Sequence, residues 1–474
     1  MKKGRLDGLI LVLLGMIVFL VVGIAWRHVS LIEMGDFKVV YYPARCLLQH
    51  GDPYSERDVL RVYQGEDRER PNEPILDRQV KTRFFYPPTA LIVTLPFAFV
   101  GFAAGKLLWT VFLTLSLVLA SILACDMAGD LAPLLSGFLA GFALMNSFWL
   151  FMVGNAAAIA VGLCVIAVWC FYRGRLVVLG VLCLALSLAL KPNDSGLVWL
   201  CLLLVGGAFR KRALQALFTV VILSLPVVLW VTYVSSHWLQ ELQANMAFFS
   251  GVGSIVDPAA TGMTGRNMDS LVQLQSVAGI FFTNPSTYNL IAYAIGIVLI
   301  LIWVVLTART RPTPIGVSLA LAAAAPLSML PTYHMQHDAK LILLTIPACA
   351  MLWARRGALG WLAMLVTAAG FVVNGDIFSG IRILLTRGIL VPQPTFASRL
   401  ITVVFTRPAP LVLLLMAVFY LWVLAKHSLL DQENRGFEAL PEQVTVSNRI
   451  RSSPFSTMKI KANPQAKLVM WQGD

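Results

Sequence analysis

Apolar runs long enough, or nearly long enough, to cross a lipid bilayer recur twelve times between Leu6 and His427. A helix crosses the ~30 Å hydrocarbon core with about 20 apolar residues, and it must satisfy its backbone N–H and C=O groups internally because no water is there to do so. The runs are Leu6–Trp26, Lys106–Met127, Ala132–Val153, Ala156–Tyr172, Leu176–Leu190, Pro192–Phe209, Ala213–Val234, Tyr288–Ala308, Ile315–Leu330, Ala339–Ala354, Leu359–Asn374 and Ala409–His427. Charged residues make up 13% of the 474 positions, about half the share in a soluble domain. The pattern predicts an all-α integral membrane protein spanning residues 1–427, followed by a polar, disordered tail over 428–474. The basic start Met1–Arg5 and the first run resemble a signal peptide, but no small-residue cleavage site follows, so the run is read as a retained helix.

Loop charge predicts the orientation. With the N-terminus in the cytoplasm, four of the five inner loops carry basic residues: Arg173 and Arg175, Arg210–Arg212, Arg309 and Arg311, and Arg355 with Arg356. The exception is Asp126–Ala132. The net charge of +13 is thereby assigned to cytoplasmic helix ends facing anionic lipid, with no partner nucleic acid. The seven cysteines show neither disulfide nor metal-ligand spacing. Three long segments, 27–105, 235–287 and 375–408, then fall on the outer face.

The first of these loops opens with apolar residues at helical spacing from Phe37 to Leu48, read as an amphipathic helix on the membrane surface. The charged stretch Glu56–Arg83 is read as solvated, Thr89–Val100 as a segment dipping into the bilayer, Ser250–Ser270 as a flap and Leu271–Phe282 as an interfacial helix.

Several polar residues sit at the outer ends of apolar runs. Asp36 is either a general base or a helix N-cap. Lys191 joins two short runs and is either a recessed cation for a phosphate or a lysine reaching for headgroups. His334 and His337 lack a third metal ligand, which points to hydrogen bonding with phosphate or sugar hydroxyls, or to ordinary loop residues. Gly154–Asn155 is a hairpin turn or part of a site, and Arg266, Asn267, Arg382, Arg387, Arg399 and Arg407 add cations and amides to that face. No metal and no cofactor is expected, and no nucleotide-binding fingerprint is present.

The stretches Asp36-Phe37, Tyr41-Tyr-Pro-Ala44, Gly51-Asp-Pro-Tyr54, Phe85-Tyr-Pro-Pro88, Gly154-Asn155, Lys191-Pro192 and Arg266-Asn267 together resemble the family-87 C-type membrane glycosyltransferases. These use polyprenyl-phosphate mannose. The resemblance spans roughly Leu6 to Ala354. It implies a GT-C-type fold, an outer-face cavity, Asp36 as base, and inverting transfer of a hexose, with mannose the expected sugar. The lipid-linked sugar is the co-substrate and the acceptor a glycolipid, polysaccharide or protein. By the same resemblance Tyr41, Tyr54 and Tyr86 join Lys191, Asn155, Arg266, Asn267, His334 and His337 as substrate contacts. Asn155 stands where the family pattern leads one to expect glutamine. It also implies the bacterial inner membrane, with both termini cytoplasmic. The rival readings are a polymerase or ligase acting on diphosphate-linked glycans, and a lipid-linked sugar flippase. The first keeps its key loop late in the chain. The second calls for internal repeats and mid-membrane charges.

Overall fold

The computed structural model describes residues 3–29, 34–66, 75–251, 254, 256–259, 270–386 and 395–438. Every regular element in them is helical, and the one β contact is an isolated bridge between Leu271 and Met335. Residues 1–429 form one unit and residues 430–474 a second.

Each of the twelve apolar runs is a helix or a pair of shorter helical pieces. Six helices are long and apolar enough to span alone: Gly4–Arg27, Phe102–Ala128, Pro133–Val153, Gly207–Val234, Pro285–Arg309 and Pro408–Ser428. The pair Ala358–Val373 and Asp376–Arg382, bent by 63°, makes a seventh candidate. The helices Ala157–Arg173, Val177–Leu190, Pro192–Val205 and Pro314–Met329 are shorter.

Composition decides which helices sit inside. Ala157–Arg173 and Pro314–Met329 are apolar or small on every face, so no side of them prefers water, and both are buried almost throughout. The long helices Gly207–Val234 and Pro285–Arg309 present much of their apolar surface outward, where lipid covers it. A 14-residue helix such as Val177–Leu190 rises only ~21 Å at 1.5 Å per residue, less than the hydrocarbon thickness. The ends of the short inner helices are therefore recessed, and one set of recessed ends forms the floor of the site.

At the opposite end the acidic loop that breaks the charge pattern is neutralised by its neighbours. Asp130 pairs with Arg5, and Asp126 pairs with Arg173 at 2.9 Å, while Arg212 donates to the Phe171 carbonyl at 2.6 Å.

Several expectations are corrected. The helix that opens the first loop, Gly35–Leu48, does not lie on the membrane surface: Phe37 to Ala44, Cys46 and Leu47 are all buried. The charged stretch Glu56–Arg83 carries two helices, Glu56–Glu66 and Ile75–Thr82, which pack on Gly35–Leu48 while most of their residues remain exposed or half-buried, as a solvated stretch requires. Arg45 pairs with Glu66 at 2.7 Å and Arg83 with Glu56, and Val59, Val62 and Tyr63 turn inward, whereas Ile75 and Leu76 stay exposed. The tenth apolar run begins as a 3-10 helix, Asp338–Thr345, before becoming the α-helix Ile346–Ala354. The last helix continues past His427 to Glu438. Most of the expected flap lies outside the described residues, whereas Leu274–Phe281 is the helix expected after it.

The first helix docks on Pro133–Met145 through glycines. A Cβ on Gly8 would lie 2.4 Å from the Pro133 carbonyl oxygen, and one on Gly141 2.4 Å from that of Leu11. Such close backbone approach between helices in lipid needs small residues, because packing rather than the hydrophobic effect holds them together. Gly141→Val should therefore lower the thermal midpoint of the detergent-solubilised protein, at a cost of about 1–3 kcal/mol for overpacking. Gly101→Ala, where no atom lies within 4 Å, should leave the midpoint unchanged.

Candidate active site

Met34 takes a left-handed conformation (φ 47°) and caps the helix Gly35–Leu48 with no side-chain hydrogen bond. Asp36 lies inside the first turn, so it is not the N-cap, and its carboxylate is free for another purpose. Asn155 Nδ2 donates to Asp36 Oδ2 at 2.6 Å. The Asn155 amide is itself oriented, because its Oδ1 accepts the Ala157 N–H at 2.8 Å. Among the described residues, Asp36 Oδ1 accepts no hydrogen bond. Gly154 makes the turn with φ +70°, and a Cβ there would meet Met34 Cε at 2.4 Å, so the turn and the start of the Asp36 helix are packed to contact. Trp109 Nε1 donates to the Gly154 carbonyl at 2.8 Å and fixes the turn from behind.

Lys191 lies between Val177–Leu190 and Pro192–Val205, with only 11% of its side chain exposed, and does not reach toward headgroups. Its ammonium donates to Asp338 Oδ1 and lies 3.5 Å from Asp194 Oδ2, a charge contact without a hydrogen bond. Burial alone would lower the Lys191 pKa, but Asp194 and Asp338 raise it above the ordinary lysine value. Burial would raise that of Asp338, but Lys191 and His337 hold it well below the usual carboxylate range. Both shifts favour the ionised pair.

His334 is fully engaged. Its Nε2 lies 3.1 Å from Asp194 Oδ1 and from Asn193 Nδ2, and its Nδ1 3.1 Å from the Thr332 carbonyl. His337 is less committed, with its Nε2 3.7 Å from Asp338 Oδ1. Burial raises the Asp36 pKa, and the strongest opposing charge is that of His337, followed by the Asn155 hydrogen bond and Lys191. Tyr86 is buried against the same group and senses Lys191, Asp36, Asp338 and Asp194.

The structure thus brings together Asp36, Asn155, Lys191, His334, His337 and Tyr86. Tyr41 and Tyr54 do not open on this recess. Tyr41 is wholly buried and donates to the Val100 carbonyl at 2.8 Å, and Tyr54 donates to the Tyr86 carbonyl at the same distance. Arg266 and Asn267 lie outside the described residues, as does Arg387. The other third-loop arginines hold backbone: Arg382 donates to the Thr406 carbonyl, Arg399 to that of Phe281 at 3.0 Å, and Arg407 to those of Pro258 and Ser276.

Sequence reasoning gave no role to Asp194, Asp338, Gln336, Lys340 or Asp376. Asp194 stands three residues after Lys191 and Asp338 directly after His337, a closeness in sequence that could have drawn attention to both. Lys340 carried a usable signal, a lone charge inside an apolar run.

The helical bundle joins one carboxylate with an open oxygen to a buried cluster of cations and amides, an arrangement suited to group transfer. The profile of Glycosyltransferase family 87 matches residues 84–331, which is 248 of 474 positions, and the chain belongs to that family. It is a membrane glycosyltransferase. No curated protein and no solved structure matches the chain.

Because Lys191 is sandwiched between two carboxylates, removing it leaves buried negative charge. Lys191→Ala should lower the thermal midpoint sharply, with breaking such a pair worth about 3–5 kcal/mol. Adding Asp338→Asn to it should recover most of that loss in the same melting experiment.

Proposed function

We propose that the chain moves a hexose, with mannose the expected sugar, from a polyprenyl-phosphate carrier to an acceptor hydroxyl with inversion. The observation that carries this reading is the Asp36–Asn155 hydrogen bond, which fixes one carboxylate oxygen at 2.6 Å and leaves the other open. Asp36 Oδ1 takes the proton of the acceptor hydroxyl as that oxygen bonds to the anomeric carbon. The bond from the anomeric carbon to the phosphate oxygen breaks in the same step, and the polyprenyl phosphate leaves. The raised pKa of Asp36 makes it a stronger base than an exposed carboxylate. A phosphate is a good leaving group, so no covalent enzyme intermediate is required.

For the departing phosphate, His337 and the Lys191 N–H not directed at Asp338 or Asp194 supply donors close to Asp36. His334 acts indirectly, by tying the Thr332–Asp338 stretch to Asp194. The membrane is the bacterial inner membrane and the recess faces outward. The basic loops that gather at the far end of the bundle support this orientation. Reporter fusions should accordingly place Glu66, His237 and Arg382 outside and Lys211 inside, and an external Lys211 would reverse it.

Asp36→Asn keeps the size of the side chain and removes only its basicity. It should bind donor and lose transfer by on the order of 10²–10⁴-fold, measured as release of polyprenyl phosphate from polyprenyl-phosphate mannose. Near wild-type transfer by this variant sinks the mechanism. The pH profile gives a second check. A base works only when deprotonated, so the rate should fall as pH drops through the pKa of Asp36, which burial raises from the ordinary aspartate value. The Asn155 hydrogen bond favours the charged form. Asn155→Leu should move this acid limb to higher pH as well as lower its plateau.

A further inference from the structure

A second buried charged group lies immediately beyond His337 and takes no part in the mechanism. The Lys340 ammonium, in a residue 4% exposed, donates to the Asn146 carbonyl at 2.6 Å and the Asn374 carbonyl at 3.0 Å, and lies 3.8 Å from Asp376 Oδ1. Asn146 caps the C-terminus of Pro133–Met145, and Asn374 that of Ala358–Val373. One ammonium therefore satisfies the ends of two helices, where carbonyls lack partners and the helix dipole is negative. Asp376 completes the junction: its Oδ2 accepts the Trp149 N–H at 2.7 Å, next to the start of Phe148–Val153. Asn146 Oδ1 accepts from Ile377 N at 3.3 Å.

The same break is gripped a second time from the site side. Gln336 Nε2 donates to the Val373 carbonyl at 2.7 Å, and the Gln336 N–H to the Ser270 carbonyl at 2.7 Å. Gln336 and Lys340 bracket His337 and Asp338 in sequence. Both are anchored to residues 373–376, so the chain between them has little freedom.

We propose that Gln336 and Lys340, with Asp376, are positioning residues that hold His337 against Asp36 and the donor phosphate. This inference rests on the role given above to His337. A lysine buried inside a membrane-embedded bundle is costly unless paired, and this one is paired next to the site rather than at the bundle surface.

The test measures binding of polyprenyl-phosphate mannose to detergent-solubilised protein carrying Asp36→Asn, which does not turn over. Lys340→Met with Asp376→Asn removes the pair without leaving a charge behind, and it should weaken donor binding about tenfold, within the range for groups in one network. Added to His337→Asn, the same pair of changes should cost nothing further, because residues that act through His337 have nothing left to position. Gln336→Leu, which strands no charge, should show the same non-additivity with a smaller loss, and it decides the matter if the Lys340 variant does not fold. Unchanged donor binding in the folded variants, or losses that add to that of His337→Asn, overturns the proposal. If His337→Asn alone leaves donor binding intact, the role of His337 fails and this inference falls with it. If His337→Asn weakens binding and the others do not, the inference alone is wrong.

Discussion

The ion pair between Lys191 and Asp338 joins residues 147 positions apart, and the recess is organised around it. It ties the turn between two short inner helices to the start of the 3-10 segment. Asp194 on one side and His337 on the other extend it into a network that ends at Asp36. A buried pair of this kind is weak evidence for stability, since desolvating two ions cancels much of their attraction. Its value is geometric. Two carboxylates bracket one lysine, so the site has a wall whose charges are balanced before substrate arrives.

That wall exists only because the inner helices are short. A full-length apolar helix would carry its polar turn out to the headgroups, where Lys191 would be solvated and would pair with nothing. With helices such as Val177–Leu190 and Pro192–Val205 at 14 residues each, the turn stops within the bundle. The longer helices outside, Gly207–Val234 and Pro285–Arg309, shield it from lipid. Broken helices extend the same device, since Pro133–Val153 and the bent pair at Asn374 present backbone carbonyls inside the bundle, where Lys340 meets them.

Much of this was legible in the sequence, and the gaps have physical causes. Apolar runs report burial away from water directly, so most helices were read to within a few residues, and the short pair flanking Lys191 already implied a recessed turn. The surface placement of Gly35–Leu48 was wrong because an amphipathic pattern says that one face is covered without saying by what. Here part of the covering comes from Glu56–Glu66 and Ile75–Thr82, which turn Val59, Val62 and Tyr63 inward and leave most of their charged residues exposed or half-buried. Asp36 could not be told from an N-cap by position alone. The distinction lies in the left-handed Met34, a conformation no composition announces. Tyr41 and Tyr54 carried a family pattern, but their hydroxyls close backbone contacts instead of meeting the recess.

The family match covers residues 84–331 and by itself leaves the chemistry unassigned, because Asp36, His334, His337 and Asp338 all lie beyond its limits. The contacts bridge that gap. Asn155 inside the matched region holds Asp36 before it, Lys191 inside holds Asp338 after it, and Asp194 inside holds His334 after it. Each of these three links joins one residue within the family pattern to one outside. The matched region thus supplies the fixed half of the site, and the two flanking segments deliver the groups with hydrogen-bonding capacity to spare, the open oxygen of Asp36 and the ring of His337. In keeping with that division, Arg399 and Arg407 of the third loop are directed at backbone carbonyls of Pro258, Ser276 and Phe281. Their task is to hold the flanking segments onto the bundle, and the charge balance of the site is settled without them.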